Sequence, residues 1–531
     1  MQPSAGNSLT ACYSWLLIAV RRNCIAVDRL IDAGLVSRRG VAPAATYAFK
    51  HALVQDAAYG TLLRAARQTL HGRIAAVLER DFADVAQTQP ELLAHHHAEA
   101  KAPDKAAVYW LAAGRNNSRR SAHVEAARLL ERALTAIQQL PDDPSARRLE
   151  FEVHLSLVPV LMAISMAGER TRQVARRAVA LCEECGAMDR ALPALFAEVS
   201  YYSSSGDLEA ALRLGWRIIG VGGDIHDDAT LLAGHRFVGS GLLFLGNLDA
   251  AEQHLATALS IAGRVERSVT DPEADFDHHA ATLVLYGHLK LRRGDFIAGW
   301  RLHSEAWHLA DRIDRAFTFA FVLLHRLLSE AMTSNLVSLR RTTPIFTELC
   351  EQRDIVQWRH VGELFRHWGA MKAGETVAVA ELLEIVSRHR DGTWQLQTPF
   401  FWKLAAEMLI ASGEFTLAEG LLREARQLAE STEQNWVKPE LYRLYAILAG
   451  HGADPSSSTP RDWLEMSLDQ AREHCEKYAE LCAAQDLARL YARRGERQAA
   501  RDLLATACEG FVGGSGNPDL QQAMALLAEL A

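Results

Sequence analysis

Proline is scarce in this sequence, 15 residues in 531, and runs of β-branched residues are short. Those absences argue against a sheet protein, and the recurrence of Ala, Leu, Arg and Glu points instead to helices. A positive charge excess is missing too: Lys plus Arg total 57 against 65 for Asp plus Glu, a formal net charge of −8. A DNA or RNA footprint normally needs a basic face, so nucleic-acid contact is not expected. Long apolar runs are absent. The block Trp15 to Val20 is too short to span a bilayer, and Arg21 and Arg22 follow it rather than precede it, the wrong order for a signal peptide. The eight cysteines form no spaced framework and read as reduced thiols. These features together predict a cytoplasmic protein with no membrane contact. No G-x-x-x-x-G-K-[ST] loop occurs; Gly220-Val221-Gly222-Gly223-Asp224 is glycine-rich, but no Lys follows to meet a phosphate. Neither a nucleotide nor any other cofactor is expected.

What the sequence does contain is repetition. Gly followed by a polar residue recurs as Gly206-Asp207, Gly246-Asn247, Gly294-Asp295, Gly374-Glu375, Gly413-Glu414 and Gly495-Glu496. The separations are 40, 48, 80, 39 and 82 residues, and Ser334-Asn335 and Gly452-Ala453 stand near the middle of the two long gaps. Five residues after each Gly stand Ala211, Ala251, Gly299, Val379, Ala418 and Ala500. Eight or nine residues on stand Leu214, Leu255, Leu302, Leu382, Leu421 and Leu503, and twelve on stand Ile218, Ala258, Ala306, Val386, Ala425 and Ala507. Those offsets share one face of a helix. Small residues let a neighbouring helix come close, and the leucine fills the space between. The Gly suits the left-handed residue that ends one helix, and its successor can cap the next. One such pair cannot bury its apolar face alone, so the pairs stack.

The offsets resemble the tetratricopeptide repeat, with a period near 40 rather than its usual ~34. A first copy is expected to start near Ala107, with Trp110 and Gly114 in its first helix, Ala126, Leu130 and Ala133 in its second, and Pro141 at its end. Residues 151–186 read as a further pair with a less regular turn at Gly168. Ala453 to Pro460 and Gly510 to Pro518 read as loops, and Leu520 to Leu530 as a capping helix. The predicted fold class is therefore all-α, a tetratricopeptide-like superhelix.

The first hundred residues do not share the repeat. Ile25 to Ala33 reads as a helix ending at Gly34, Leu35 to Gly40 and Thr46 to Phe49 as short strands, and His51 to Leu78 as a helix broken near Gly60. Helix, strand, turn, strand, helix is the order of a winged-helix tail. The string FKHALVQDAAYGTLLRAARQTLHGRIAAVLE (Phe49 to Glu79), with QPELLAHHHAEA after it, resembles a bacterial group of large signalling ATPases, many with an N-terminal class III adenylate cyclase domain. ARLYARRGERQAARDLLA (Ala488 to Ala505) and GNPDLQQAMALLAEL (Gly516 to Leu530) resemble the end of the same architecture. The resemblance runs from about residue 25 onward. It implies a winged-helix remnant at 25–100, a repeat array at 101–451 and final repeats with a cap at 452–531, with 1–24 unmatched. It implies the regulatory part of such a protein without its cyclase or ATPase chemistry.

Few residues suggest chemistry. His95-His96-His97 are consecutive, so on a helix they diverge by about 100° each, unlike the i, i+4 spacing of helical metal ligands. Cys182 and Cys185 form a lone C-x-x-C with no second pair, and Cys182 fits an apolar helix face. His71 has no patterned nucleophile beside it and reads as a buried, hydrogen-bonded histidine. Arg38-Arg39 and Arg119-Arg120 suit contacts to phosphates, but a solvated turn and a helix start account for them equally well. The tract from Trp358 and Arg359 to Arg366 and Trp368, joined by Arg326, offers the residue types enriched at binding hot spots. It is the candidate groove for an acidic peptide, although inter-repeat packing accounts for the same tryptophans.

The sequence thus predicts a non-catalytic scaffold or sensor that binds a protein or peptide partner, with a cyclase or ATPase module as one such partner. Two other readings stand beside it: one part of a split cyclase–ATPase whose catalytic domains lie on another chain, and a transcription regulator.

Overall fold

The computed structural model describes residues 24–40, 46–120, 122–166, 168–265, 276–390, 392, 394–454, 456 and 458–530. Helices take up 79% of the chain, and strands are almost absent. Two compact units form: Met1–Ser165 with Val174–Ala187, and Met166–Gln173 with Met188–Ala531.

The first unit opens with the helix Cys24–Asp32 and an antiparallel hairpin, Val36–Arg39 against Thr46–Phe49, in the register Val36↔Phe49. Val36 and Tyr47 are buried there against Leu30 and Ile31. Helices Ala52–Gly60 and Arg64–Asp81 follow, so the expected break falls just after Gly60. The first helix pair is Pro103–Arg119 with His123–Ile137. It starts earlier than Ala107, because proline is well suited to the first helical turn. Its close packing is set by Gly114: a Cβ there would lie 2.6 Å from Leu130 Cγ. The next helix, Pro144–Ile164, begins seven residues before the expected 151. Asp143 accepts hydrogen bonds from the Ser145 and Ala146 N–H groups and Pro144 supplies the first turn.

The second unit is a run of helix pairs. First and second helices alternate as Leu192–Ser204 and Leu208–Asp224, Asp228–Leu245 and Leu248–Ala262, His278–Arg292 and Phe296–Ile313, Ala316–Met332 and Leu336–Gln352. They continue as Arg359–Lys372 and Val379–Arg390, Thr398–Ala411 and Phe415–Ser431, Lys438–Gly450 and Pro460–Glu473, Lys477–Arg493 and Arg497–Cys508, closed by Pro518–Leu530. The glycines of the six recurring turns and Gly452 have positive φ, between 69° and 90°, and Ser334 takes the same place with φ 52°. Asp207, Asn247, Asp295 and Asn335 each accept a hydrogen bond from the N–H three residues on. Glu414 and Glu496 make no such bond; short side chains with an oxygen on Cγ are the ones suited to this role. The small residue twelve after each turn is buried in every copy: Ile218, Ala258, Ala306, Val386, Ala425 and Ala507.

The turns between pairs also use left-handed backbone, but at ordinary residues: His226, Asp314, Asp354, Glu433 and Cys475, with φ from 49° to 54°. Left-handed backbone at a non-glycine residue costs about 1–2 kcal/mol, and the surrounding helices impose it.

Within this unit the early first helices meet the late ones end to end. Ser204 O accepts from Gln395 N at 2.7 Å, Leu245 O from Asn435 Nδ2 at 3.1 Å, and Thr333 O from Asn517 Nδ2 at 2.8 Å. Arg292 reaches Glu476 in the same register, and Asp295 and Val512 form a parallel bridge. In the three bonds to Ser204, Leu245 and Thr333 the carbonyl acceptors lie at helix C-termini and the donors just before helix N-termini, so carbonyls that lack partners within their own helix are satisfied and the helix dipoles run head to tail.

Candidate functional site

The residues proposed from the sequence as a groove do not form one. Trp358 is 0% and Trp368 1% exposed, so neither is available to a partner. Trp358 stacks on Phe317 at 5.1 Å and meets Trp394 edge-on. Trp368 Nε1 donates to Glu407 Oε2 at 3.0 Å. The alternative role weighed for them, inter-repeat packing, is the one they have. Arg326 lies against Trp300 and Trp307 and donates to Glu330 Oε1 at 2.7 Å and Ser338 Oγ at 3.1 Å. Arg359 pairs with Asp354, and Arg366, on the exposed side of its helix, bonds His367 Nε2. Among the described residues no hydrogen bond or ring contact joins any two of the five.

Trp368 instead starts a partly buried polar ladder. Glu407 takes Trp368, Lys372 and Lys403; Lys403 continues to Glu440, Glu440 to Arg443, and Arg443 to Asp486. The contacts of Glu407 with Trp368 and Lys372, of Lys403 with Glu440 and of Arg443 with Asp486 link successive first helices, and Lys403–Glu407 and Glu440–Arg443 join them along a helix. Burial alone would raise the Glu407 carboxyl, but Lys403 and Lys372 hold it below the ordinary value.

His95, His96 and His97 diverge. His71 Nδ1 lies 2.9 Å from His96 Nδ1, and the Tyr59 hydroxyl is 3.1 Å from His71 Nε2. Burial, then the neighbouring His95, pushes His71 down to about 4. His97 turns away, 2.9 Å from Glu79 Oε1, with its ring stacked on Tyr109. Cys182 is buried and Cys185 exposed.

His97 and Glu79 lead to a surface that the sequence reading missed. A groove of about 630 Å3 opens in the first unit between helices Arg64–Asp81, Pro103–Arg119 and Pro144–Ile164. Its apolar lining is Val108, Leu140, Pro141 and Leu149, and Val108 is 51% exposed. The charged groups beside it are held in place. Glu79 binds His97, Lys105 Nζ at 3.1 Å and the Tyr109 hydroxyl at 3.1 Å. Burial acts to raise Glu79, but the hydrogen bonds from Lys105, His97 and Tyr109 lower it overall. Burial and Glu79 together push the Tyr109 hydroxyl up to about 12. Across the groove Glu152 accepts from Arg115 Nη2 at 2.7 Å. Arg148, also lining the groove, is exposed.

The local reason for this surface is helical phase. Ala106, Ala107, Trp110, Leu111, Ala113 and Gly114 are buried on one side of Pro103–Arg119. That leaves Lys105, Val108 and Tyr109 on the side facing the groove. The signal was present as the complement of the buried face. An arrangement of anchored charges around exposed apolar side chains can hold an extended or helical segment; among the described residues no group of three or more His, Cys, Asp or Glu is placed to hold a metal ion.

Fold and surface together define a helical-repeat protein of tetratricopeptide-like build. No family model matches the chain. Over 155 residues, 29% of its length, it is 31% identical to an uncharacterised protein of Rhizobium meliloti (strain 1021). The chain spans 15% of the length of that relative. Among solved structures, the apo form of RapI is 14% identical with a TM-score of 0.37, over 61% of this chain and 99% of that one. A signal transduction ATPase with numerous domains and a tetratricopeptide repeat sensor, from Pyrococcus horikoshii, is 12% identical with a TM-score of 0.39, over 79% of this chain and 60% of that one. Among the described residues no helix is long and apolar enough to cross a membrane.

Proposed function

We propose that this chain is a non-catalytic helical-repeat scaffold that receives a protein or peptide partner, and that it serves as the sensor module of a bacterial signalling ATPase or cyclase system. The observation that carries the binding role is the groove of the first unit, where Val108 and Leu149 lie open between fixed charged groups. A preformed surface loses little conformational freedom on binding, so modest contacts yield useful affinity. The partner's apolar side chain meets Val108, and its polar groups meet Lys105 and Arg148. A photoreactive amino acid at Val108 identifies the partner by cross-linking, and a titration of that purified partner then measures affinity. Val108→Asp is expected to weaken binding at least tenfold with the helical circular dichroism unchanged. Equal affinity of both proteins overturns the groove as the binding surface. ATP turnover or cyclic nucleotide formation by the purified chain overturns its non-catalytic role.

A second reading is favoured by the small share of its relative that the chain spans. Here the chain is one part of a split cyclase–ATPase, with the winged-helix-like hairpin as its junction to the ATPase. Reading the DNA upstream of Met1 tests it: an open frame encoding P-loop and cyclase sequences supports the split, and non-coding sequence removes it.

A further inference from the structure

Arg236 lies in the middle of the helix Asp228–Leu245 and is 3% exposed. Its Nε donates to His278 Nδ1 at 3.0 Å. Its Nη2 is buried and has no hydrogen-bond partner among the described residues. The guanidinium carbon stands 3.7 Å from the centre of the Phe237 ring and 5.3 Å from that of Phe276. Phe196 closes the box, edge-on to His278 at 5.4 Å.

This is an unusual place for a cation. Buried arginines are ordinarily paired with carboxylates. Arg292 in the next first helix has Glu476, and Arg443 has Glu440 and Asp486. No carboxylate pairs with Arg236 among the described residues. His278 cannot supply the missing charge, because burial and then Arg236 itself hold it far below its ordinary value and keep it neutral. Burial alone draws Arg236 down to about 9, with no opposite charge offsetting it, yet still charged at neutral pH. His278 is also the first residue of the helix His278–Arg292. The guanidinium therefore sits near the N-terminus of that helix, whose Asp277 carboxylate is committed to capping the Ala280 N–H rather than to the arginine.

We propose that Arg236 is the anchor of a carboxylate-binding site in the second unit. The acid meets the free Nη edge of the guanidinium, and its apolar body packs against Phe196 and Phe276, the half-buried rings of a cluster that also holds Phe237. With Nε already committed to His278, the remaining edge presents parallel N–H groups, which fit a planar carboxylate in a two-point contact. The aromatic walls favour an acid borne on an aromatic or branched apolar group over a small hydrophilic one. The free acid and the C-terminus of a partner peptide share this chemistry. Its evidence is independent of the groove of the first unit.

The test uses the full chain with phenylacetate, acetate, inorganic phosphate, and a short peptide ending in Phe as its free acid or its amide. Wild type is expected to show a saturable rise in Tm of about 2–4 °C with phenylacetate, or with the free-acid peptide but not its amide. A peptide response without a phenylacetate response assigns the site to a partner's C-terminus, and the reverse assigns it to a small acid. Arg236→Met removes the cation with little loss of volume and is expected to abolish the response without lowering the Tm of the unliganded protein. Arg236→Lys keeps the charge but not the fork, and is expected to weaken binding at least tenfold. A wild type that responds to no carboxylate overturns the proposal, as does an equal response in Arg236→Met. Response only after neutralising Asp271, Glu273 and Asp275 assigns the counter-charge to the chain itself and likewise overturns it.

Discussion

Arg292 and Glu476 stand 184 residues apart in the chain and form a fork-to-fork ion pair, with side chains only 2% and 3% exposed. Arg292 Nη1 also donates to Leu243 O at 2.8 Å, so the guanidinium ties three first helices at one point. Removing one member of a buried pair leaves an unpaired charge and costs about 3–5 kcal/mol, whereas replacing both by apolar groups costs far less. Glu476→Gln is therefore expected to lower the urea midpoint sharply, and Arg292→Met with Glu476→Leu to recover most of it. Single and double replacements of equal stability would show that the pair does not join the early and late helices.

The turn glycines fall into two classes. At Gly206 a Cβ would lie 2.7 Å from Thr432 Cγ2, and at Gly294 2.8 Å from the Phe511 ring, both across the end-to-end contact. At Gly413 and Gly495 nothing lies within 4 Å. Gly413→Ala is expected to cost only the left-handed backbone penalty, about 1–2 kcal/mol. Gly206→Ala adds a steric clash and is expected to cost about 1–3 kcal/mol more. Urea denaturation of the two variants decides this, and equal losses would remove the close approach as a constraint.

Cap chemistry gives a change expected to stabilise. Asp295 accepts from Ala298 N at 2.9 Å, while Glu414 at the matching place makes no cap bond. Asp295→Ala is expected to cost about 1 kcal/mol. Glu414→Asp is expected to gain roughly half that. A fall in Tm for Glu414→Asp would show that the turn does not admit the shorter cap.

Acid is expected to loosen the protein through its buried histidines. Burial holds His325 at about 4 and, with lesser help from neighbouring histidines, His96 and His389 at about 3. Each is neutral when folded, and on unfolding regains its ordinary value near 6.5. Below that value the unfolded chain binds more protons, so stability is fully present above pH 6.5 and falls as pH drops toward 3–4. Each group contributes up to about 1.4 kcal/mol per pH unit across that window. Urea midpoints measured at pH 7.5 and 5.0 check the sign, and a midpoint unchanged or higher at pH 5.0 would contradict it.

The local part of this architecture was legible because helix ends and helix faces are written in nearby residues. Gly206 with Asp207 and Gly246 with Asn247 mark turns that the structure contains, and even Ser334 was found by its place in the period. Asp314 and Asp354 carry left-handed turns with no glycine to announce them, since neighbouring helices force that backbone. The end-to-end contacts left no local trace, because partners such as Leu245 and Asn435 are 190 residues apart. That is also why Trp358 and Trp368 were misplaced. Their residue types suit a binding surface as well as a core, and only the folded array decides between them. The groove at Val108 and Tyr109 was missed for the opposite reason: its residues are ordinary, and their value lies in what the neighbouring helices leave open.

The joints between early and late helices change how the second unit responds to force. An open coil of helix pairs lengthens elastically when pulled, each pair hinging slightly against the next. Here extension must first tear Asn435 from Leu245, Asn517 from Thr333 and Glu476 from Arg292. Such a unit yields as a clasp does, holding its length up to a threshold and then releasing in one step.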